Sequence, residues 1–207
     1  MKIAILTSPQ QWFIPYAQEL QKELKESVLF FDHQSVDDTY DILFILSYHK
    51  IIEKEHLKAK HNIVIHASDL PQGKGWAPMF WQVLEGKSEI VFSMFEASEK
   101  TDDGNIYMKK KLSLDGTELN QELRKKQADF IIEMCKEFIT NYTKYSSPVK
   151  QTGEESFYPK RSAKDSELDM DKSLNEQFNL LRIVDNEEYP AFFYKNGIKY
   201  ILKIQKG

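Results

Sequence analysis

His66 closes a run of β-branched residues, Ile63, Val64 and Ile65, and precedes a polar loop that holds Pro71, Gly73 and Gly75. Such a run reads as a buried strand. A histidine at the carboxyl end of a strand stands where open α/β sheets gather their chemistry. The alternative is an imidazole that only satisfies a backbone carbonyl. Trp76 in the loop offers a face on which a flat ligand could stack. Phe80 and Trp81 fall at core spacing in a helix that Pro78 starts. Glu99, Lys100, Thr101, Asp102, Asp103 and Gly104 form an acidic turn, in which aspartate before glycine can serve geometry alone. The histidines at 33, 49, 56, 61 and 66 show no H-E-x-x-H or similar ligand spacing, so no metal site is expected. Thr7-Ser8-Pro9 follows the first apolar run, so neither a G-x-G-x-x-G fingerprint nor a P-loop occupies the first turn.

The chain has 207 residues, enough for one main domain and an appendage. It is 41% hydrophobic and 29% charged, as ordinary globular proteins are. A net charge of −4 supplies no general attraction to nucleic acid. The single cysteine, Cys135, forbids an internal disulfide and fits a reducing compartment. No apolar run approaches the roughly 18 residues of a membrane span. Residues 1–13 read as a first strand and not as a signal peptide. A cytoplasmic enzyme is expected, with neither membrane nor nucleic acid as partner.

The stretch His66-Ala67-Ser68-Asp69-Leu70-Pro71, continuing to Lys74-Gly75 and Ala77-Pro78, resembles the HPSLLP…RGAAP signature of formyltransferases that use N10-formyltetrahydrofolate. Asp102-Asp103-Gly104-Asn105-Ile106 is similar to the DTGDI of that family and lies at a suitable distance downstream. The resemblance implies that His66 stabilises the oxyanion and handles the proton, with Asp102 as its partner and base. It implies folate contacts from Ser47, Tyr48, His49 and Ile51, whose segment resembles the pteridine-lining loop, and from Glu99 and Thr101. Ser68, Asp69, Lys74, Gly75 and Trp76 would meet the acceptor, with Lys74 replacing the family arginine. Lys160 and Arg161 are further phosphate contacts or a solvated face. One departure stands out: the family carries an asparagine two residues before the histidine, and this chain has Val64. Asn62 shares that face but lies two steps away, while Ser68, Asp69, Asn105 and His49 are candidate substitutes.

The elements that would position these residues follow from periodicity. Strands are expected at 2–6, 28–31, 42–46, 62–66, 90–97 and 106–114, with helices near 13–26, from Pro78, and over 118–145. Uniformly apolar strands in this order predict a Rossmann-like α/β fold, with a mostly parallel sheet and helices on both faces. Residues 1–145 form the catalytic domain, 146–156 a linker or ordered surface loop, and 157–207 a small unit with a helix near 172–184. Asn196-Gly197 between 191–195 and 198–204 predicts a hairpin. This tail is similar to that of sugar-nucleotide N-formyltransferases, and methionyl-tRNA formyltransferase carries a larger barrel there. The tail is too small to bury much alone, so it packs on the main domain or mediates a homodimer.

The resemblance therefore implies formyl transfer to a nucleotide-linked amino sugar. Residues 66–76 resemble a branch of pseudaminic-acid-type pathways, which implies a UDP-linked 4-amino-4,6-dideoxy sugar. Another amine acceptor (glycinamide ribonucleotide, methionyl-tRNA or an aminoacyl carrier) and a non-catalytic folate- or nucleotide-binding protein are the alternatives.

Overall fold

The computed structural model describes residues Met1–Gly207. Two fully buried four-residue strands, β1 (Ile3–Leu6) and β3 (Ile42–Ile45), and the six-residue β4 (His61–His66), less covered at Val64 and His66, set its frame. These strands are apolar on successive residues because both sides of the sheet are covered. With β2 (Val28–Phe30), β6 (Glu89–Glu96) and β7 (Ile106–Ser113), they make a six-stranded sheet in the order β2-β1-β3-β4-β6-β7. The pairs β1/β2, β1/β3 and β3/β4 are parallel, and β4/β6 and β6/β7 antiparallel. The fold is thus a Rossmann-like α/β sandwich with an antiparallel extension.

The two faces of the sheet are covered differently. Helices α1 (Ile14–Glu23), α2 (Pro78–Leu84) and α3 (Asn120–Thr140) all lie on one face, where a cluster of 29 buried residues joins Ile5, Phe44, Ile63 and Phe92 to Leu20, Val83 and Phe138. The opposite face carries two small clusters, of 7 and 3 buried residues, and Val36, Ile52 and Ala59 come to the first from irregular segments. The expectation of helices on both faces is corrected here. The connections 31–41 and 46–60 lack an apolar repeat of 3.6 residues and form only short 3-10 turns, at His33–Ser35 and Lys54–His56.

Residues 157–207 carry short elements, one of which packs into the large core. Helix α5 (Phe178–Ile183) is shorter than the expected 172–184, because Ser173 and Glu176 close a turn through Ser173 N–H and Oγ before it. Ile183 enters the large core, and Arg182 donates to Glu118 Oε2 at 2.9 Å. Strands β9 (Ala191–Lys195) and β10 (Ile198–Leu202) pair antiparallel around Asn196-Gly197, both with positive φ, as a tight hairpin requires. Helix α4 (Tyr142–Tyr145) is a single turn after α3, and β5 (Lys74–Gly75) pairs in parallel with β8 (Phe157–Tyr158). No helix is long and apolar enough to cross a membrane.

Candidate active site

Alternation along β4 sends Ile63 and Ile65 into the large core and turns Val64 and His66 toward the thinly covered face. The loop 97–105 between β6 and β7 folds back over that face. Its return depends on Gly104, where a Cβ would sit 1.6 Å from the Glu96 carbonyl oxygen. Asp102, in the left-handed region at φ +52°, is thereby presented to His66. The distance from His66 Nε2 to Asp102 Oδ2 is 3.7 Å, and the two side chains are 11% and 13% exposed.

Both partners also engage the loop 67–77. His66 Nε2 lies 2.9 Å from the Gly73 carbonyl oxygen, which can only accept, so Nε2 carries the proton. The Gly75 N–H donates to Asp102 Oδ2 at 2.9 Å. Gly75 is required at its position, since a Cβ there would stand 2.5 Å from the Tyr158 carbonyl oxygen at φ +96°. A carboxylate held by a backbone N–H beside a protonated ring nitrogen can steady an imidazolium, and a small movement brings the pair into hydrogen-bond range.

Residues 148–158 tie these loops together. Val149 exchanges two backbone hydrogen bonds with Ile106, at 2.7 and 2.8 Å. Gln151 Nε2 donates to the carbonyls of Asp102 (2.9 Å) and Gly104 (2.8 Å). Gly73 N–H donates to Ser156 Oγ at 2.8 Å, and β8 continues along Gly75. This segment of polar residues holds the Asp102 loop and the glycine loop in one frame. Composition marks it only as a connection, so its part in the site leaves no signal in the sequence.

The acceptor contacts expected from the sequence are placed unequally. Lys74 is corrected: only 2% exposed, its ammonium lies 2.8 Å from both Asp103 and Glu155, so it fastens the two loops and is not free for a phosphate. Those carboxylates outweigh the burial that would lower its pKa, and hold it above the usual lysine value. Ser68 is buried, with no partner for Oγ. Asp69 is exposed and paired with Lys109. Trp76 stays open at the site, 44% exposed.

Around the loop after β3, Ser47 lies at φ +53° and donates through Oγ to Gln11 Oε1 at 3.0 Å, while His49 N–H donates to Ser8 Oγ at 2.9 Å. The Tyr48 hydroxyl is engaged with His33 Nδ1 at 2.7 Å. Ile51 is fully on the surface, and Glu99 and Thr101 are exposed on the loop that carries Asp102. No amide replaces the one absent at Val64. Asn62 is committed to the Ala59 carbonyl (2.9 Å) and Glu96 Oε1 (3.1 Å), and Asn105 is exposed. His49 turns toward Trp76, with ring centres 6.1 Å apart. Burial, with Lys160 and Arg124 nearby, holds His49 below its usual pKa.

A Rossmann-like sheet whose central strand ends in a histidine, faced by an aspartate from a glycine-hinged loop, is an α/β fold with a paired imidazole and carboxylate at a strand end. Residues 7–138 match the formyl transferase family, and the chain belongs to it. The formyl donor of that family is N10-formyltetrahydrofolate. Methionyl-tRNA formyltransferase of Thermosipho melanesiensis is 31% identical over 145 residues, covering 70% of this chain and 47% of the relative. The chain therefore spans about half the length of the curated relatives it matches. A solved methionyl-tRNA formyltransferase from Clostridium thermocellum has a TM-score of 0.81 at 24% identity, over 99% of this chain and 92% of that one. WlaRD, a sugar 3N-formyl transferase crystallised in the presence of dTDP and 5-N-formyl-THF, has a TM-score of 0.69 at 18% identity, over 95% and 83% of the two chains. At these identities the structural likenesses concern the fold.

Proposed function

We propose that the protein transfers a formyl group from N10-formyltetrahydrofolate to an amino group of a nucleotide-linked deoxyamino sugar, with His66 and Asp102 as the catalytic pair. The observation that carries this reading is the meeting of the two signature stretches at that pair, 3.7 Å apart, with both side chains only 11% and 13% exposed. His66, whose Nε2–H rests on the Gly73 carbonyl oxygen, supplies a donor for the tetrahedral oxyanion once it turns from that carbonyl to the substrate. Asp102 takes the proton released by the attacking amine and offsets charge on the ring. As the tetrahedral intermediate collapses, the bond to folate N10 breaks with a proton passed to that nitrogen, so that tetrahydrofolate leaves. Val64 and Ala97 pack partly buried with Tyr48 in the smaller core. They support a flat apolar floor beside the backbone of residues 47–49, which suits a pteridine. The loss of the family amide at Val64 leaves the histidine as the principal oxyanion donor and predicts a slow enzyme.

The small helix-and-hairpin tail favours an amino sugar, and its exposed Tyr194, Tyr200 and Ile201 support self-association through that unit. The matched relatives favour a second acceptor, methionyl-tRNA. The net charge of −4 counts against an RNA-sized polyanion. Donor consumption measured against a panel of amino-sugar nucleotides and charged tRNA decides between them. Turnover with tRNA alone removes the sugar reading, and turnover with neither removes the enzyme.

A further inference from the structure

The sites for donor and acceptor need different chemistry, and the molecule holds cations that no carboxylate pairs, Arg124 on the helical side of the sheet and Lys160 beside Trp76. Arg124, near the start of α3, has its guanidinium carbon 4.7 Å from the centre of the Trp12 ring and 4.9 Å from that of Phe80. It is partly buried and forms no ion pair. Asp185 and Glu188 act on it only from a distance. The contrast is with Arg182, whose guanidinium closes on Glu118 at 2.9 Å. Lys160 likewise has no carboxylate partner and holds its ammonium 5.0 Å from the centre of the Trp76 ring. His49 stands on the same Trp76 ring, with ring centres 6.1 Å apart. Trp76 directly follows Gly75, whose N–H holds the Asp102 carboxylate.

A desolvated guanidinium without a counter-charge costs free energy that a bound anion returns. Guanidinium, ammonium and a neutral imidazole together match the several oxygens of a phosphate better than a single carboxylate. The two indole rings add flat surfaces for a heterocycle. We propose that Arg124, Lys160 and His49, walled by Trp12 and Trp76, bind the phosphate groups of the formyl acceptor as a nucleoside diphosphate. This rests on the reading of the protein as a formyltransferase with a nucleotide-linked substrate. It moves the phosphate contact away from Lys74, which two carboxylates occupy. The donor then enters over the thinly covered face and the acceptor over the helical one, and they meet at His66 and Asp102.

The test is calorimetric titration of the full chain, at low salt, with UDP, dTDP, GDP, inorganic pyrophosphate, tRNA and 5-formyltetrahydrofolate. Nucleoside diphosphates are expected to bind, and Arg124→Gln and Lys160→Ala each to weaken them about tenfold or more, the scale of one charge-assisted hydrogen bond. Binding of 5-formyltetrahydrofolate should be unchanged in both. If Arg124→Gln fails to fold by circular dichroism, the exposed Lys160→Ala carries the comparison. The proposal is overturned if neither nucleoside diphosphates nor pyrophosphate bind, if tRNA alone binds, or if the variants weaken the folate analogue instead. Transfer assays separate the two levels. Formylation of a sugar nucleotide with KM unchanged in both variants sinks this site and spares the function. Variant-sensitive diphosphate binding with no formylation of any sugar nucleotide does the reverse.

Discussion

The two faces of the sheet divide the work of the molecule. One is sealed by three helices over 29 buried residues, the other by turns and loops over separate clusters of 7 and 3. Burial at about 25 cal/mol per Å2 of apolar surface makes the first face the main store of stability. The second leaves polar groups within reach of a ligand. Strand β4 shows the division residue by residue, with Ile63 and Ile65 serving the sealed face and Val64 and His66 the open one. Covering a sheet thinly weakens it there, and at the end of a strand it leaves room for a site.

Changes on the two faces should therefore separate activity from stability. His66→Ala removes both the oxyanion donor and the proton carrier, so kcat should fall about a thousandfold or more. Because the side chain sits over the thin cover, the unfolding midpoint in urea should hardly move. A variant that keeps turnover would remove the proposed mechanism. On the sealed face, Phe138 packs edge-on against Phe44, Tyr107 and Tyr142. Phe138→Ala should cost about 3–5 kcal/mol in equilibrium unfolding. Ile52→Ala, in the small core, should cost clearly less, and equal losses would erase the contrast.

A third test concerns the clamp between the sealed face and the tail. Glu118 is buried against Arg182 Nη2 at 2.9 Å and Lys126 Nζ at 2.5 Å. Burial pushes its carboxyl upward, but the hydrogen bonds from Lys126 and the backbone outweigh it and hold the pKa below 4.5. A carboxyl lowered on folding contributes stability above its unfolded pKa and loses it as pH falls through the folded one. The thermal midpoint should drop below about pH 4.5 in the wild type. Arg182→Met, which leaves the acid without one buried partner, should lower stability by about 3 kcal/mol at neutral pH and flatten that dependence.

Much of the frame was legible in the chain because local and global demands agree. The apolar runs of β1, β3 and β4 have no other use than a covered sheet, and Asn196-Gly197 has the backbone freedom its turn requires. His66 and Asp102 were legible as two motifs, and the structure sets them side by side. What stayed hidden depends on residues far apart in sequence. A lysine in a polar loop looks free, yet Lys74 is buried between Asp103 and Glu155, which lie 29 and 81 positions away. Arg124 looks like one more charge on a helix until Trp12 and Phe80 close around it. The one-sided arrangement of helices was hidden too, since a missing helix is read only as an irregular segment.

The smallest expected effect is the most telling for how the open face is held. Gln151 reaches from the tie segment to the carbonyls of Asp102 and Gly104, and its own Oε1 is buried without a partner. Net hydrogen bonds of this kind contribute about 1 kcal/mol each, and they fix a residue already in a costly left-handed conformation. Gln151→Leu keeps most of the volume and deletes both donors. The loop should then sample orientations in which Asp102 no longer faces His66, lowering kcat about tenfold while global stability falls by no more than about 2 kcal/mol. A purely structural role would show the opposite balance, with the unfolding midpoint lowered and turnover per folded molecule intact. Gln151→Glu adds a control, since it keeps the length and reach of the side chain but presents an acceptor to two carbonyl oxygens. It should be at least as slow as the leucine variant, because repulsion from those oxygens drives the loop away from the histidine.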